Sequence, residues 1–194
     1  MAIALIGGRF DPIHTGHLII AQDLLEILNI EKVVFLLSYN PPHKIVYSSF
    51  EDRLNMIKIA INSYKKFEVW DIEKRMNLEK SYSFLVLKEI LRIGYKNLYF
   101  VIGSDQFENF KNWYNYEEIL NMVNVVVVQR PSKNYNYPKD LLNKVKILNN
   151  RLIEISSSEI RKRIKENKEF RFLVPCGVYE YIIKKKLYLK LYWN

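Results

Sequence analysis

Residues Ile3 to His17 read Ile-Ala-Leu-Ile-Gly-Gly-Arg-Phe-Asp-Pro-Ile-His-Thr-Gly-His. The apolar run at the start of this segment predicts a buried strand that ends at Gly7 and Gly8, and an apolar, helix-like segment from Leu18 to Leu28 follows it. A strand that turns on glycines into a helix is suited to hold a phosphate. The glycines let the backbone approach the anion closely, and the helix N-terminus offers unpaired N–H groups and a positive dipole end.

Two histidines, His14 and His17, stand at the opening of that helix in the pattern His-x-Gly-His. Their imidazoles would add hydrogen bonds to a polyphosphate whose charge shifts during a reaction. A Gly-Gly pair after a strand is common, and one histidine near a helix start is usually a polar cap. The whole string is more specific than either part, so it predicts a phosphate-binding turn, provided that it lies between a strand and a helix.

Length and composition indicate a globular protein. The 194 residues, 49% of them hydrophobic, favour one domain with a substantial core, and we expect residues 1–194 to form that single domain. No uninterrupted apolar stretch is long enough to cross a bilayer, so we expect no membrane partner. We find no export signal, and the single cysteine, Cys176, cannot form an internal disulfide. These features together predict a cytoplasmic protein.

The formal net charge of +9 raises the hypothesis of a nucleic-acid-binding module. The charge comes mostly from lysine, in a chain that is also rich in Asn, Ile and Tyr. These four residue types share A/T-rich codons, so biased coding explains much of the charge. The cluster from Lys184 to Lys186 falls at the end of an expected helix, where cations interact favourably with the dipole. Because the other basic residues are scattered, we expect no nucleic-acid partner.

Strand-like and helix-like segments alternate along the chain without internal repeats. This alternation predicts an α/β fold, a Rossmann-like doubly wound parallel sheet with helices on both faces. The predicted strands are Ala2–Ile6, Lys32–Leu37, Phe67–Trp70, Leu98–Ile102, Val123–Val128 and Leu152–Ile155. The predicted helices are His17–Leu28, Phe50–Tyr64, Tyr82–Ile93, Tyr116–Met122, a segment from Ser156 to about Glu166, and a terminal helix from Pro175 through Lys186. Residues 130–150 are interpreted as a surface excursion.

Two serines are predicted to begin helices with capping boxes, Ser49 together with Asp52 and Ser156 together with Glu159. The strands of a parallel sheet point the same way, so their ends should meet at one edge. The residues at these ends are Gly7, Ser38, Gly103 and Ser156. In such sheets ligands bind beyond the carboxyl ends of the strands, which makes this edge the expected site.

The segment from Gly7 to His17 resembles the signature of the nucleotidylyltransferase superfamily. A later segment, from Ile155 to Arg161, reads Ile-Ser-Ser-Ser-Glu-Ile-Arg and resembles the second signature of that superfamily. Within the superfamily the chain looks most similar to the bacterial nicotinate-nucleotide adenylyltransferases, and the resemblance runs from end to end. Shorter supporting segments begin at Asn40, Ser81, Ile102, Asn112, Gln129 and Leu173. Their order and spacing are a stronger signal than any one of them.

The resemblance implies a reaction in which the 5′-phosphate of nicotinate mononucleotide attacks the α-phosphorus of ATP. Deamido-NAD forms and pyrophosphate leaves. A nucleotide phosphate is already an adequate nucleophile, so catalysis requires alignment and charge stabilisation rather than a general base. The expected partners are ATP and nicotinate mononucleotide, with Mg²⁺ as the companion of ATP, and a homo-oligomer is left open. No carboxylate cluster in the sequence indicates a metal site of the protein's own.

The resemblance also implies roles for individual residues. The residues expected to act in catalysis, by holding the phosphates of ATP, are His14, His17 and Arg161. The other residues expected to bind ATP are Gly7, Gly8, Phe10, Gly103, Asp105, Ser156 and Ser157. The residues expected to bind the acceptor are Lys44, Tyr82, Ser83 and Trp113. Of these, Tyr82 and Ser83 would recognise the nicotinate carboxylate through backbone N–H groups, and Trp113 would stack on the pyridine ring.

Three of these assignments have structural alternatives that the sequence leaves open. Arg161 could be a solvated helix residue, Asp105 a helix cap, and Trp113 an aromatic residue packed at the surface.

The chain departs from the pattern of the family at several positions. Arg9 follows Gly-Gly in place of the usual Thr or Ser, and Ser83 replaces the usual Thr. Glu79 and Lys80 stand where Gly-Pro often precedes the acceptor segment, and Val86 lacks the hydroxyl that is common there. The changes at residues 79, 80 and 86 leave part of the preference between acid and amide open. The amidated mononucleotide is one rival acceptor, and phosphopantetheine, whose adenylyltransferases share both signatures, is another. The Pro-Pro-His-Lys segment, the Ser-Tyr-Ser segment and Trp113 favour a pyridine acceptor. A class I tRNA synthetase also has His-x-Gly-His, but 194 residues leave no room for its tRNA-binding parts.

Overall fold

The computed structural model describes residues 2–41, 45–131 and 134–189. Within these ranges six parallel strands form one sheet in the order β3-β2-β1-β4-β5-β6. The strands are β1 (Ile3–Gly8), β2 (Lys32–Leu37), β3 (Phe67–Trp70), β4 (Leu98–Gly103), β5 (Asn124–Val128) and β6 (Lys146–Leu148). The order of the strands reverses between β1 and β4, and ligands bind at such reversal points in doubly wound sheets.

Eight α-helices lie within the described ranges. They are α1 (Thr15–Leu28), α2 (Phe50–Ile61), α3 (Ile72–Met76), α4 (Ser83–Arg92), α5 (Ser104–Glu108), α6 (Tyr116–Met122), α7 (Ser157–Lys165) and α8 (Cys176–Lys185). Short 3-10 helices occur at Phe110–Asn112, Lys139–Lys144 and Arg171–Leu173. None of the helices in the described ranges combines the length and the apolarity that a membrane crossing requires.

Helices cover both faces of the sheet, which confirms the predicted fold class. Successive residues of β1 point to opposite faces. Ala4 belongs to an apolar cluster with residues of α1, α2, α7 and α8, and Leu5 belongs to a second cluster with residues of α4, α5 and α6. Both residues are buried. Strands that are buried on both faces appear as continuous apolar runs, and for that reason the predicted bounds of β2 match the structure. The predicted bounds of β3, a partly exposed strand at the edge of the sheet, also match.

The prediction of a strand at Leu152–Ile155 is wrong. The last strand is β6, and it lies inside the region interpreted as a surface excursion. It is an edge strand in which only Leu148 is buried, so it shows no apolar run. Asn150 ends the pairing of β6 with β5. Its side-chain amide accepts from the backbone N–H of Gln129 at 2.7 Å and donates to the Gln129 carbonyl at 3.0 Å, taking the groups that the next ladder residue would use.

Ser49 and Ser156 cap α2 and α7, as predicted. Their hydroxyl oxygens accept the backbone N–H groups of Asp52 and Glu159 at 3.0 Å and 3.1 Å. A capping box also requires the carboxylate to accept the backbone N–H of the serine, and this part of the prediction is wrong. The Asp52 carboxylate accepts from the Ser49 hydroxyl instead, and the Glu159 carboxylate pairs with Arg163. The sequence interpretation misses α3 and α5, since five residues are too few to display a helical period.

Candidate active site

A cavity of about 530 Å³ opens beyond the carboxyl ends of β1 and β4, where the strand order reverses. Six of the residues that the sequence assigns to substrates line it: Gly7, Gly8, Tyr82, Ser83, Asp105 and Trp113. The histidines, Ser156, Ser157 and Arg161 are not among the lining residues. They lie around the turn between β1 and α1, next to the cavity wall that Gly8 and Arg9 form.

The turn after β1 contains a residue in an uncommon backbone conformation. Phe10 has a φ of 48°, in the left-handed region that side chains other than glycine rarely adopt. Its ring is buried and makes edge contacts with His17 and Phe35, at centroid distances of 5.0 Å and 5.5 Å. These contacts hold the turn in its strained shape, and strain of this kind is found at ligand-binding sites. Phe10 therefore contributes to the turn through its backbone shape and its packing.

The two histidines stack on each other, with ring centroids 3.6 Å apart and planes inclined by 24°. His17 Nδ1 accepts the backbone N–H of His14 at 3.1 Å, so neutral His17 carries its proton on Nε2. Gly16 leaves room for this arrangement, because a Cβ atom there would lie 3.1 Å from His14 Nδ1 and 3.3 Å from Ile153, close enough that these side chains would have to move by a few tenths of an ångström. The His-x-Gly-His spacing thus produces a fixed pair of rings with a known N–H donor.

The histidine pair is neutral at physiological pH. Burial, together with a smaller contribution from the positive charge of Arg130, lowers the pKa of His14 to about 3. Burial lowers the pKa of His17 well below its usual value, with smaller contributions from His14 and Arg130. A charged His14 would also bury an N–H group without an acceptor, since its Nδ1 has no hydrogen-bond partner among the described residues. The pair therefore offers neutral N–H donors rather than two positive charges.

The start of α7 meets the first turn of the chain. The Ser157 hydroxyl donates to the Pro12 carbonyl at 2.9 Å, and Arg161 Nη1 donates to the Asp11 carbonyl at 2.6 Å. Arg161 is buried, with its guanidinium 4.1 Å from the centroid of the Tyr47 ring and bonded to Ser158 Oγ at 3.2 Å. The alternative of a solvated helix residue is therefore wrong. The two segments that carry the resemblance lie against each other.

Asp11 is the centre of a buried polar network behind this turn, which the sequence analysis did not identify. Its carboxylate accepts from the backbone N–H of Tyr47 at 2.7 Å, from the Ser48 hydroxyl at 2.5 Å and from the Tyr188 hydroxyl at 2.8 Å. Burial and the charge of Asp11 raise the pKa of Tyr188, so this hydroxyl stays a donor. The network joins the first turn to residues 45–48 and to the last residues that the structure describes.

At the end of β4, Asp105 forms an ion pair with Arg130, with 3.2 Å between Asp105 Oδ1 and Arg130 Nε. This pair rests on Gly103, where a Cβ atom would lie 2.5 Å from the carboxylate and 2.9 Å from the guanidinium. The residue before α5 is Gly103 rather than Asp105, so the alternative of Asp105 as a helix cap is wrong. Arg130 follows Gln129 in one of the supporting segments, and the sequence analysis gave it no role, yet its charge lowers the pKa of both histidines.

The opposite end of the cavity is aromatic. Tyr82 precedes α4 and packs on Tyr114 at a centroid distance of 5.0 Å. Ser83 begins α4, where the first N–H groups of the helix have no partner within the helix. Trp113 lines the cavity and packs against Phe110 at 5.3 Å, so it is not merely a surface aromatic. This end offers a ring surface beside a helix N-terminus, a combination that suits a flat ring with a negative substituent.

Two buried charged residues near the cavity were missed. Arg53 is 2% exposed and donates from Nη1 to the carbonyl oxygens of Arg9 at 3.0 Å and Ser38 at 2.8 Å, which joins the ends of β1 and β2. Its position on the apolar face of the predicted helix was a usable signal. Glu73 lines the cavity and accepts from the Tyr39 N–H at 2.9 Å; burial raises the pKa of its carboxyl. No pattern in its polar segment indicated this position.

Two further expectations concern Lys44 and a metal site. Lys44, expected in the acceptor pocket, lies outside the described residues. Among the residues that the structure describes, no group of three or more His, Cys, Asp or Glu side chains is placed to hold a metal ion.

Comparisons with known proteins identify the family of the chain. The model of the cytidylyltransferase-like family matches residues 5–163. A probable nicotinate-nucleotide adenylyltransferase of Caldicellulosiruptor saccharolyticus is 36% identical over 97% of this chain and 99% of its own length. A protein of the same name from Borrelia turicatae is 34% identical over 98% and 99%. A solved structure of Plasmodium falciparum nicotinic acid mononucleotide adenylyltransferase complexed with NaAD has a TM-score of 0.77 at 24% identity, over 98% and 99% of the two chains. The chain therefore belongs to the cytidylyltransferase-like family and, within it, to the nicotinate-nucleotide adenylyltransferases.

Proposed function

We propose that this chain transfers the adenylyl group of ATP to nicotinate mononucleotide, forming deamido-NAD and pyrophosphate. The observation that carries the proposal is the junction of the two signature segments. Ser157 and Arg161 bond to the carbonyl groups of Pro12 and Asp11, at the edge of the sheet where the strand order reverses. One triphosphate can contact both segments there.

The phosphate side would act by hydrogen bonding rather than by proton abstraction. His17 directs a neutral Nε2–H donor from a ring that is held by stacking and by the His14 backbone. The first N–H groups of α7 and the turn around Phe10 add donors at a helix start. Arg161 is the third phosphate-side residue, and it would exchange its bond to Ser158 for one to the departing pyrophosphate. Such donors stabilise the charge that develops on phosphoryl oxygens.

The acceptor side would hold the pyridine nucleotide. The ring would lie on Trp113, and the carboxylate would meet the N–H groups at Ser83 and at the start of α4. Ser81 fixes this segment to the end of β2, because its N–H donates to the Asn40 carbonyl at 3.0 Å and its hydroxyl accepts the Asn40 N–H at 2.9 Å. With both nucleotides held, the acceptor phosphate attacks the α-phosphorus without a general base.

Mg²⁺ would enter this reaction with ATP. We expect the ion to be bound mainly by phosphate oxygens and water, as Mg²⁺ usually is in sites of this kind. When bound, Mg²⁺ would neutralise part of the triphosphate charge. We further propose that the reaction takes place in the cytoplasm without a nucleic-acid partner, in a monomer or a homo-oligomer.

Pyrophosphate release tests this function directly. The purified chain is given ATP, Mg²⁺ and one acceptor at a time: nicotinate mononucleotide, its amide, or phosphopantetheine. We expect release with nicotinate mononucleotide at the highest catalytic efficiency, together with a dinucleotide product. A higher efficiency with the amide or with phosphopantetheine would assign another acceptor. Failure to release pyrophosphate with any of the three, alongside salt-sensitive oligonucleotide binding, would favour the nucleic-acid module.

A further inference from the structure

Arg9 occupies a position that the proposed reaction does not yet explain. It follows β1 directly, between Gly8 and Phe10, and it is one of the residues that line the cavity. Among the described residues that line this cavity, Arg9 is the one Lys or Arg side chain, whereas two carboxylates, Glu73 and Asp105, also line it. A dianionic nucleotide phosphate that enters the cavity therefore meets one accessible cation in the described wall.

The other arginines near the turn already have partners within the protein. Arg53 is 2% exposed and bonds to two backbone carbonyls, one of them that of Arg9, so it fixes the backbone of Arg9 and cannot itself reach a ligand. Arg130 is paired with Asp105, and Arg161 is buried under Tyr47. Both contact the first turn or the β4 end, on the side that we assign to ATP.

The Arg9 guanidinium makes a hydrogen bond but still has N–H groups without a partner in the described residues. Nη1 donates to the Ile45 carbonyl at 2.6 Å, which is the one hydrogen bond that the side chain of Arg9 makes in the described parts of the chain. Most of the N–H groups of the fork thus remain for an anion, and guanidinium groups bind phosphate in a bidentate manner. The bond to Ile45 also ties the side chain to the segment that the Asp11 network anchors through Tyr47 and Ser48.

We propose that Arg9 binds the 5′-phosphate of the acceptor nucleotide and holds it for attack on ATP. This inference rests on the proposed function and deepens it by naming the group that positions the nucleophile. A cation between two phosphate-bearing substrates reduces their repulsion.

The test compares two acceptors that differ only in the phosphate. Affinities of nicotinate mononucleotide and nicotinate riboside are measured by calorimetry for the wild type, Arg9→Gln, Arg9→Lys and the control Arg92→Gln, which removes an exposed arginine paired with Glu89. We expect Arg9→Gln to weaken the mononucleotide by roughly 10- to 100-fold and to leave the riboside unchanged. Arg9→Lys should recover part of the loss, since lysine keeps the charge but not the fork. The control should change neither affinity.

Several results would overturn the assignment. An equal loss for both acceptors would mean that Arg9 only holds residues 45–48 in place. A loss confined to the KM of ATP would place Arg9 on the donor, and unchanged affinities would remove it from the site. The proposed function fails on a separate result, namely a wild-type chain that releases no pyrophosphate with nicotinate mononucleotide.

Discussion

Replacing His14 with glutamine should make the protein less sensitive to acid. In the folded protein burial holds the pKa of His14 at about 3, whereas an unfolded chain has a histidine pKa of about 6.5. As the pH falls below about 6.5, His14 therefore becomes protonated in the unfolded state but stays neutral in the folded state. The free energy that neutral His14 contributes is fully present above that pH and is lost as the pH decreases toward 3.

The size of this effect follows from the two pKa values. Each pH unit below the unfolded pKa costs about 1.4 kcal/mol, so acidification from about pH 8 to about pH 5 should cost about 2 kcal/mol through His14 alone. The pKa of His17 is lowered in the same direction, so His17 should add to the acid loss of the wild type. In His14→Gln this part of the acid loss disappears, whatever the substitution does to stability at pH 8.

Urea unfolding at a series of pH values measures this difference. The free energy of unfolding of the wild type should fall relative to that of His14→Gln by about 2 kcal/mol between about pH 8 and about pH 5. Lys58→Gln, which removes a charge from an exposed position of α2, should give a curve parallel to the wild type. A His14→Gln curve that is also parallel to the wild type would show that His14 titrates normally, and the account of a neutral stacked pair would be wrong.

His17→Ala should lower turnover by roughly 100-fold while it changes the affinity for nicotinate mononucleotide little, because Nε2–H acts on the transferring phosphate; equal losses in single-turnover rate and in acceptor affinity would contradict that role. Trp113→Ala should raise the KM of the acceptor by roughly 10-fold through lost stacking, and an unchanged KM would remove Trp113 from the site. Tyr188→Phe should cost about 2 kcal/mol in urea unfolding, since it removes a buried bond to the Asp11 carboxylate. The exposed Tyr64→Phe is its control, and equal stabilities would argue against the network.

The parts of the fold that could be predicted from sequence are those where one chain segment carries its own signal. The apolar run of β2 and the periodic segment of α6 have the predicted bounds, since burial on both faces or on one helical stripe determines their residue types. Ser49 and Ser156 begin helices because a short hydroxyl side chain satisfies a free N–H group locally. The strand β6 could not be predicted in this way, because it is short and mostly exposed and its pairing depends on β5.

The residues of the site also fall into two groups, those that a local motif identifies and those that depend on contacts between distant segments. The motifs locate the turn, the histidines and the start of α7, because these residues are close in sequence to the glycines and helix starts that identify them. The side chains that hold the site together depend on contacts between distant segments. Asp11 meets Tyr188 across the length of the chain, and Arg53 joins two strand ends from a helix that follows both of them. A sequence pattern shows that Arg53 lies on an apolar face, but only the fold shows what it binds.

The most direct measurement is a crystal structure of this chain with a non-hydrolysable ATP analogue. Our account predicts that the triphosphate lies within hydrogen-bond distance of His17 Nε2 and of the first N–H groups of α7, with Arg161 turned toward its terminal phosphates. A triphosphate bound at another edge of the sheet, or in contact with only one of these two segments, would contradict the account.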